Sequence, residues 1–124
     1  MANLFRGEVE LQAGDRTVVL RLGITSLILL EAEFGGESIP QIMQDRFSNP
    51  ARLLVTDMHK LFWAAMQRRD EPVSREEVGY IMEDAGLQAC GLAVAELLAA
   101  TFQAPDEAPA ENPQKASQDS TGAK

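Results

Sequence analysis

Cysteine and histidine each occur only once in this sequence of 124 residues, as Cys90 and His59. A single cysteine excludes an intramolecular disulfide framework and any zinc site built from several thiolates. This usage is typical of a reducing compartment. A lone histidine has no second ligand or nucleophile at a useful spacing, so we interpret His59 as a structural or solvated residue. Cys90 lies on the inward face of an apolar stretch and is interpreted as a small core residue.

Long apolar runs are also missing. The longest run of large apolar residues is residues 27–30, far shorter than the roughly 20 residues that cross a bilayer. The first ten residues, MANLFRGEVE, do not contain a charged leader followed by an apolar segment. The sequence therefore predicts a soluble, cytoplasmic protein with no membrane partner.

Positive charge is scarce. The chain has 11 Lys and Arg against 19 Asp and Glu, which gives a net charge of −8 and a pI of about 4.6. Such a field repels phosphate backbones and anionic headgroups, so nucleic acid is not an expected partner.

Motifs for catalysis are absent as well: there is no glycine-rich phosphate loop, GxSxG or HExxH. Two groups of carboxylates stand close in sequence, namely Glu31 with Glu33, and Glu76, Glu77, Glu83 and Asp84. We interpret them as helix caps and solvated faces. No catalytic, metal or cofactor site is predicted, and an enzyme is the last of the function classes considered.

The most strongly patterned stretch is residues 49–69, which predicts a central helix. Asn49 is a suitable cap, and Pro50 suits the first helical position. At the spacing of a helix the apolar residues fall in one arc of about 140°, wider than a surface helix needs. This predicted core face consists of Leu54, Val55, Met58, Leu61, Phe62, Ala65 and Met66.

A β-hairpin is predicted before this helix. Residues 6–12 and 17–22 alternate between apolar and polar side chains, and residues 13–16 contain turn formers. One face carries Val9 and Leu11 with Val18, Leu20 and Leu22. The open edge of such a hairpin is a place where a partner strand can add.

Four more helices are predicted, over residues 24–34, 38–47, 74–85 and 87–102. Thr25 or Ser26 is a cap for the first, which stops at Gly35 and Gly36, while Ser38 and Ser74 begin capping boxes. The predicted inward faces are Ile24, Leu27, Leu30 and Phe34 in the first helix, Ile39, Ile42, Met43 and Phe47 in the second, Val78, Ile81, Met82 and Ala85 in the third, and Leu87, Cys90, Gly91, Val94, Leu98 and Phe102 in the last.

The predicted fold class is therefore α+β and mostly α. An N-terminal β-hairpin packs on a bundle of about five helices, and residues 1–102 form a single domain. Residues 103–124 have no large apolar side chain, so we expect a disordered, flexible acidic tail. The tail has four acidic and two basic residues, which leaves −6 of the net charge of −8 on residues 1–102.

Four large residues lie outside or at the edge of the predicted core faces: Leu29, Trp63, Tyr80 and Leu92. A neighbouring helix covers such a residue more often than not. Taken together, they are candidate binding residues for a protein client, because aromatic residues are enriched at binding hot spots.

Four segments taken in order resemble a known family. RGEVEL…GDRTVVLRL, LLEAEFG, LFWAAMQRR and SREEVGYIMEDAGL are similar to the small tail proteins of gene transfer agents and related prophages, which are classed with phage tail assembly chaperones. The similarity spans residues 5–102. The positions that match most closely are Leu30, Glu31, Gly35, Trp63, Ala64, Gly79 and Gly86, which suit either fold-determining or client-binding roles.

The resemblance implies a non-enzymatic protein without cofactor or metal. It implies a chaperone in the bacterial cytoplasm that keeps the tape-measure protein soluble and helps the tail tube protein assemble around it. A structural tail tube or minor tail protein retained in the particle is an alternative, and virion association would follow from it. A small adaptor or regulatory protein is another alternative. Homo-oligomerisation is left open.

Overall fold

The structure is a computed structural model that describes residues 7–67 and 71–102. The predicted fold class is confirmed: a two-stranded antiparallel hairpin precedes five α-helices. In chain order the elements are β1 (Glu8–Ala13), β2 (Arg16–Arg21), α1 (Ile24–Glu33), α2 (Ile39–Ile42), a π-helical turn (Met43–Phe47), a 3₁₀ turn (Pro50–Arg52), α3 (Val55–Met66), α4 (Arg75–Ala85) and α5 (Leu87–Phe102). The predicted tail of residues 103–124 lies outside the described residues.

The hairpin has the register and the inward face that its alternation predicts. Ala13 pairs with Arg16, so the loop has two residues. Its first residue, Gly14, has a φ of +64°, which a tight hairpin turn requires and which glycine adopts without steric cost. The inward residues Val9, Leu11, Leu20 and Leu22 are buried, and Val18 is half-buried.

The central helix starts later than predicted. The Asn49 side chain does act as a cap and accepts a hydrogen bond from the Ala51 N–H at 3.0 Å. It caps only the 3₁₀ turn Pro50–Arg52, after which Leu53 and Leu54 have extended backbone and α3 begins at Val55. An Asn-Pro pair favours a helical start, but it does not fix how many turns follow.

The end of α3 is fixed by a glutamine. Gln67 donates through its side-chain amide to the carbonyls of Trp63 at 2.8 Å and Val73 at 2.9 Å, and accepts from the Val73 N–H at 3.2 Å. These bonds connect the last turn of α3 to the segment that leads into α4. The helix therefore ends at Met66, before the predicted end at residue 69.

The first helix begins at Ile24 as predicted, but its predicted cap is wrong. Gly23 is at the N-cap of α1, and neither Thr25 nor Ser26 caps it. Ser26 is buried, and its hydroxyl donates to the Arg21 carbonyl at 3.2 Å. The predicted stop is confirmed: Gly36 has a positive φ of 89°, and its N–H donates to the Glu31 carbonyl at 2.8 Å.

The core forms around α3, which packs against α1, α4 and β2, while the hairpin also packs on α4 and α5. The predicted core residues Met58, Leu61, Phe62, Ala65 and Met66 are buried. Five residues predicted to be inward are exposed instead, with 46 to 75% of their surface accessible: Ile24, Leu54, Val55, Leu87 and Phe102. Each of these five stands at the end of a helix, where fewer neighbouring elements are available to cover it.

Helix α4 begins and ends where predicted. The Ser74 hydroxyl accepts from the Glu77 N–H at 3.1 Å, and Gly86 ends the helix with a φ of +92°. Helices α4 and α5 meet at an angle of 110°. Among residues 7–67 and 71–102, no single helix is long and apolar enough to span a membrane. Helices α4 and α5 reach the necessary length and apolar composition only when the two, which are bent relative to each other, are counted together.

Candidate functional site

The four candidate client-binding residues lie on four different helices and have different exposures. Tyr80 on α4 is 55% exposed and Leu92 on α5 is 63% exposed. Leu29 on α1 and Trp63 on α3 are partly buried and pack against the core. The structure therefore places two of the four on the surface and makes the other two part of the support for the fold.

Trp63 belongs to a small structural cluster between α1, α3 and α4. The Arg75 guanidinium lies 4.1 Å from the centre of the Trp63 ring and also forms an ion pair with Glu33. His59 donates from Nε2 to the Arg75 backbone carbonyl at 2.8 Å. His59 therefore has the structural role that the sequence indicates, because its ring ties α3 to the start of α4.

An apolar groove lies between the start of α3, the outer face of α4 and the start of α5. Its volume is about 400 Å³, and we call it the α3–α4–α5 groove. The residues that line it are Val55, Thr56, His59, Gly79, Met82, Glu83, Gly86, Leu87 and Cys90. None of the four candidate residues from the sequence is among them.

Two glycines line the groove, Gly79 inside α4 and Gly86 directly after its last residue. Gly79 has helical backbone, whereas Gly86 is the C-cap of α4 and has a φ of +92°. A Cβ atom added at either glycine would meet no heavy atom within 4 Å. The backbone is therefore open to close approach at each of the two glycines.

The floor of the groove is buried and its two ends are exposed. Met82 and Cys90 form the floor, with 8% and 1% of their surface accessible. Val55 and Leu87 stand at the ends with 53% and 63% accessible. Burial raises the pKa of the Cys90 thiol, so this cysteine is kept protonated as an apolar side chain and is not activated as a nucleophile.

The sequence reasoning missed this groove because it assigned Val55 and Leu87 to core faces. The signal that could have found it is the pair of glycines at positions 79 and 86. Both are among the positions that match the resembled family most closely, and Gly79 leaves the surface of the predicted helix without a side chain at that position. Within the described residues, no group of three or more His, Cys, Asp or Glu side chains is placed to hold a metal ion.

Comparison with known proteins identifies the class, which is that of phage-type tail proteins. A family model described as phage tail tube protein, GTA-gp10, matches residues 6–104, a range that includes the hairpin and all five helices. The chain belongs to this family, and it therefore has a structural, tail-related role. No curated protein and no solved structure matches the chain. The resemblance to gene transfer agent and phage tail proteins is confirmed at this level.

Proposed function

We propose that this protein is a tail assembly chaperone that binds an amphipathic helix of the tape-measure protein in the α3–α4–α5 groove. The observation that carries the proposal is the open, apolar groove with a glycine-lined wall. Such grooves receive the apolar face of a partner helix, and the absence of side chains at Gly79 and Gly86 lets the two backbones come close. The resemblance to tail assembly chaperones supports the same partner.

The surface composition supports this function. A long helical client exposes an apolar stripe that aggregates unless another surface covers it. The exposed apolar residues Val55 and Leu87 at the ends of the groove provide such a surface. The net charge of −8 on this protein adds mutual repulsion between its copies, which favours solubility.

Filling the groove tests the proposal. Gly79→Leu places a side chain in the groove, and Gly91→Leu is the matched control on α5, because a Cβ at Gly91 also meets nothing within 4 Å and Gly91 does not line the groove. Each variant is co-expressed with the tape-measure protein. We expect the soluble fraction of the client to fall with Gly79→Leu and to stay at the wild-type level with Gly91→Leu.

Circular dichroism of both variants checks that the fold is intact. If Gly79→Leu is folded and keeps the client as soluble as the wild type does, the groove is not the client site. The candidate residues from the sequence then remain to be tested. Tyr80→Ala and Leu92→Ala remove exposed side chains, whereas Leu29→Ala and Trp63→Ala remove partly buried ones and need the same check of the fold.

A tail tube component retained in the particle is the second candidate, and the description of the family favours it. Mass spectrometry of purified particles separates the two candidates. Abundant peptides of this protein would favour a tube subunit, and their absence would favour a chaperone that leaves before the tail is complete. The adaptor alternative assigns the binding function to residues 103–124, so normal tail assembly after their deletion would argue against it.

A further inference from the structure

Two acidic side chains lie at a regular spacing along α4, and one of them lines the α3–α4–α5 groove. Glu83 lines the groove, and Glu76 lies seven residues earlier on the same stripe of α4, because seven residues make almost two full turns. Both side chains are exposed. We call Glu76 and Glu83 the acidic rim.

From this arrangement we infer that the partner helix carries Lys or Arg residues along one flank of its apolar face, about two turns apart. The inference rests on the proposed function, because it specifies the chemistry of the helix that occupies the same groove. Glu76 and Glu83 are roughly 10.5 Å apart along α4, and side chains at i and i+7 of a helix lying alongside have the same spacing. The apolar groove therefore supplies the contact area, and the rim selects the charge of the flank.

The cations of the neighbouring elements are engaged elsewhere and do not neutralise the rim. The Lys60 ammonium lies 4.7 Å from the centre of the Phe34 ring, and Arg75 forms its ion pair with Glu33. Arg16 pairs with Glu77 at 2.9 Å, on another stripe of α4. Among the residues that the structure describes, neither Glu76 nor Glu83 forms an ion pair.

The size of the effect follows from the exposure of the rim. Exposed ion pairs contribute little to affinity and more to selectivity and to the rate of association. Two such pairs give a preference of roughly fivefold for a cationic flank over an anionic one at low salt. This preference should shrink at high salt, because mobile ions screen exposed charges.

Two synthetic amphipathic peptides test the inference. They have the same apolar face, with Leu and Ala at helical spacing, and they differ only in having Lys or Glu at two flanking positions seven residues apart. Dissociation constants with the full chain are measured by fluorescence anisotropy at low and high salt. We expect the Lys peptide to bind about fivefold more tightly at low salt.

Charge reversal separates the rim from the acidity of the protein as a whole. Glu83→Lys and Glu37→Lys change the net charge by the same amount, but Glu37 is an exposed residue between α1 and α2 that does not line the groove. We expect Glu83→Lys to remove the preference for the Lys peptide and Glu37→Lys to retain most of it. Equal effects of the two variants would overturn the inference, because the preference for the Lys peptide would then come from the net negative charge of the whole protein.

The remaining outcomes distinguish this inference from the proposed function. If both peptides bind equally and Gly79→Leu abolishes binding, the groove receives helices without selecting their charge, and only the inference fails. If neither peptide binds, or if folded Gly79→Leu binds them as well as the wild type does, the proposed groove function fails together with the inference. If the protein alone self-associates in analytical ultracentrifugation and Gly79→Leu abolishes this, the occupant is a second copy and the inference is wrong.

Discussion

At the scale of single residues, the two glycines that open the groove have opposite conformational requirements. Gly79 lies inside α4 with ordinary helical backbone, whereas Gly86 ends the helix with φ +92° and ψ 151°. The latter conformation belongs almost exclusively to glycine. Substitution by alanine should therefore change the free energy of unfolding in opposite directions at positions 79 and 86.

We expect Gly79→Ala to raise the free energy of unfolding by about 0.5–1 kcal/mol, because alanine has less backbone entropy to lose in a helix. Gly86→Ala should lower it by about 1–3 kcal/mol, because the conformation is strained for any residue with a Cβ. Urea denaturation of the two variants and the wild type measures both changes. A Gly86→Ala variant as stable as the wild type would contradict the strain argument.

The buried thiol of Cys90 predicts a pH dependence. Its pKa is raised by burial, so the folded state keeps the proton while the unfolded thiol loses it above a pH of about 8.5. The unfolded state then binds fewer protons, and stability decreases as the pH rises through this range. Below the pKa of the unfolded thiol, the contribution of Cys90 to the stability does not change with pH.

The measurement compares the wild type with Cys90→Ala, which retains every other ionisable group. We expect the free energy of unfolding of the wild type to fall more steeply above a pH of about 8.5. A thiol reagent should also react slowly with the native protein and rapidly in urea. Parallel pH profiles of the two proteins would show that Cys90 does not contribute.

The serine caps of α2 and α4 were predicted correctly from the sequence, whereas the predicted cap of α1 was wrong. Ser38 and Ser74 accept the N–H bonds expected of N-caps, from Gln41 and Glu77. The reciprocal half of the first capping box does not form, because the Gln41 side chain donates to Asp45. A cap depends on atoms within a few residues, so the sequence can specify it without knowledge of the tertiary structure.

At the scale of the helices, the periodicity predicted the buried faces in their middle and failed at their ends. Ile24, Val55 and Leu87 are each the first residue of a helix, and Phe102 is the last residue of α5. Their positions around the axis match the core stripe, but the neighbouring elements do not extend far enough to cover them. Periodicity gives the direction of a side chain and not the length of the surface that it meets.

Helix α4 offers a test of how much one cap contributes. Ser74→Ala removes the hydroxyl that accepts from the Glu77 N–H, and we expect a loss of about 1 kcal/mol in the free energy of unfolding. Ser74→Asn should keep most of the stability, since asparagine caps about as well as serine. Denaturation curves of the two variants provide the measurement. An equal loss in both would point to a contact other than the cap.

At the scale of the molecule, the domain boundary is a proposal that truncation tests. The hairpin and all five helices lie within residues 8–102, so removing residues 103–124 should leave the thermal unfolding transition unchanged within error. The truncated protein also loses only a quarter of the net charge, from −8 to −6. A clear drop in the midpoint would show that the C-terminal segment packs on the domain.

The candidate site could be predicted only in part, because a groove is a property of the assembled molecule. No local pattern of residues indicates that the starts of α3 and α5 lie beside α4. The sequence did predict that Tyr80 and Leu92 lie away from the core, and both are exposed. It could not show that Arg75 stacks on Trp63, since the contact depends on the path of the chain between α3 and α4.

The packing of β1 against α5 joins the first and the last elements of the domain. A Cβ added at Gly7 would lie only 3.7 Å from the Ala100 carbonyl oxygen. Because β1 is the first element of the chain and α5 is the last, the ribosome makes the strand long before the helix that covers it. At ordinary rates of translation this delay is on the order of 5–20 s, and throughout it the nascent chain cannot complete its core.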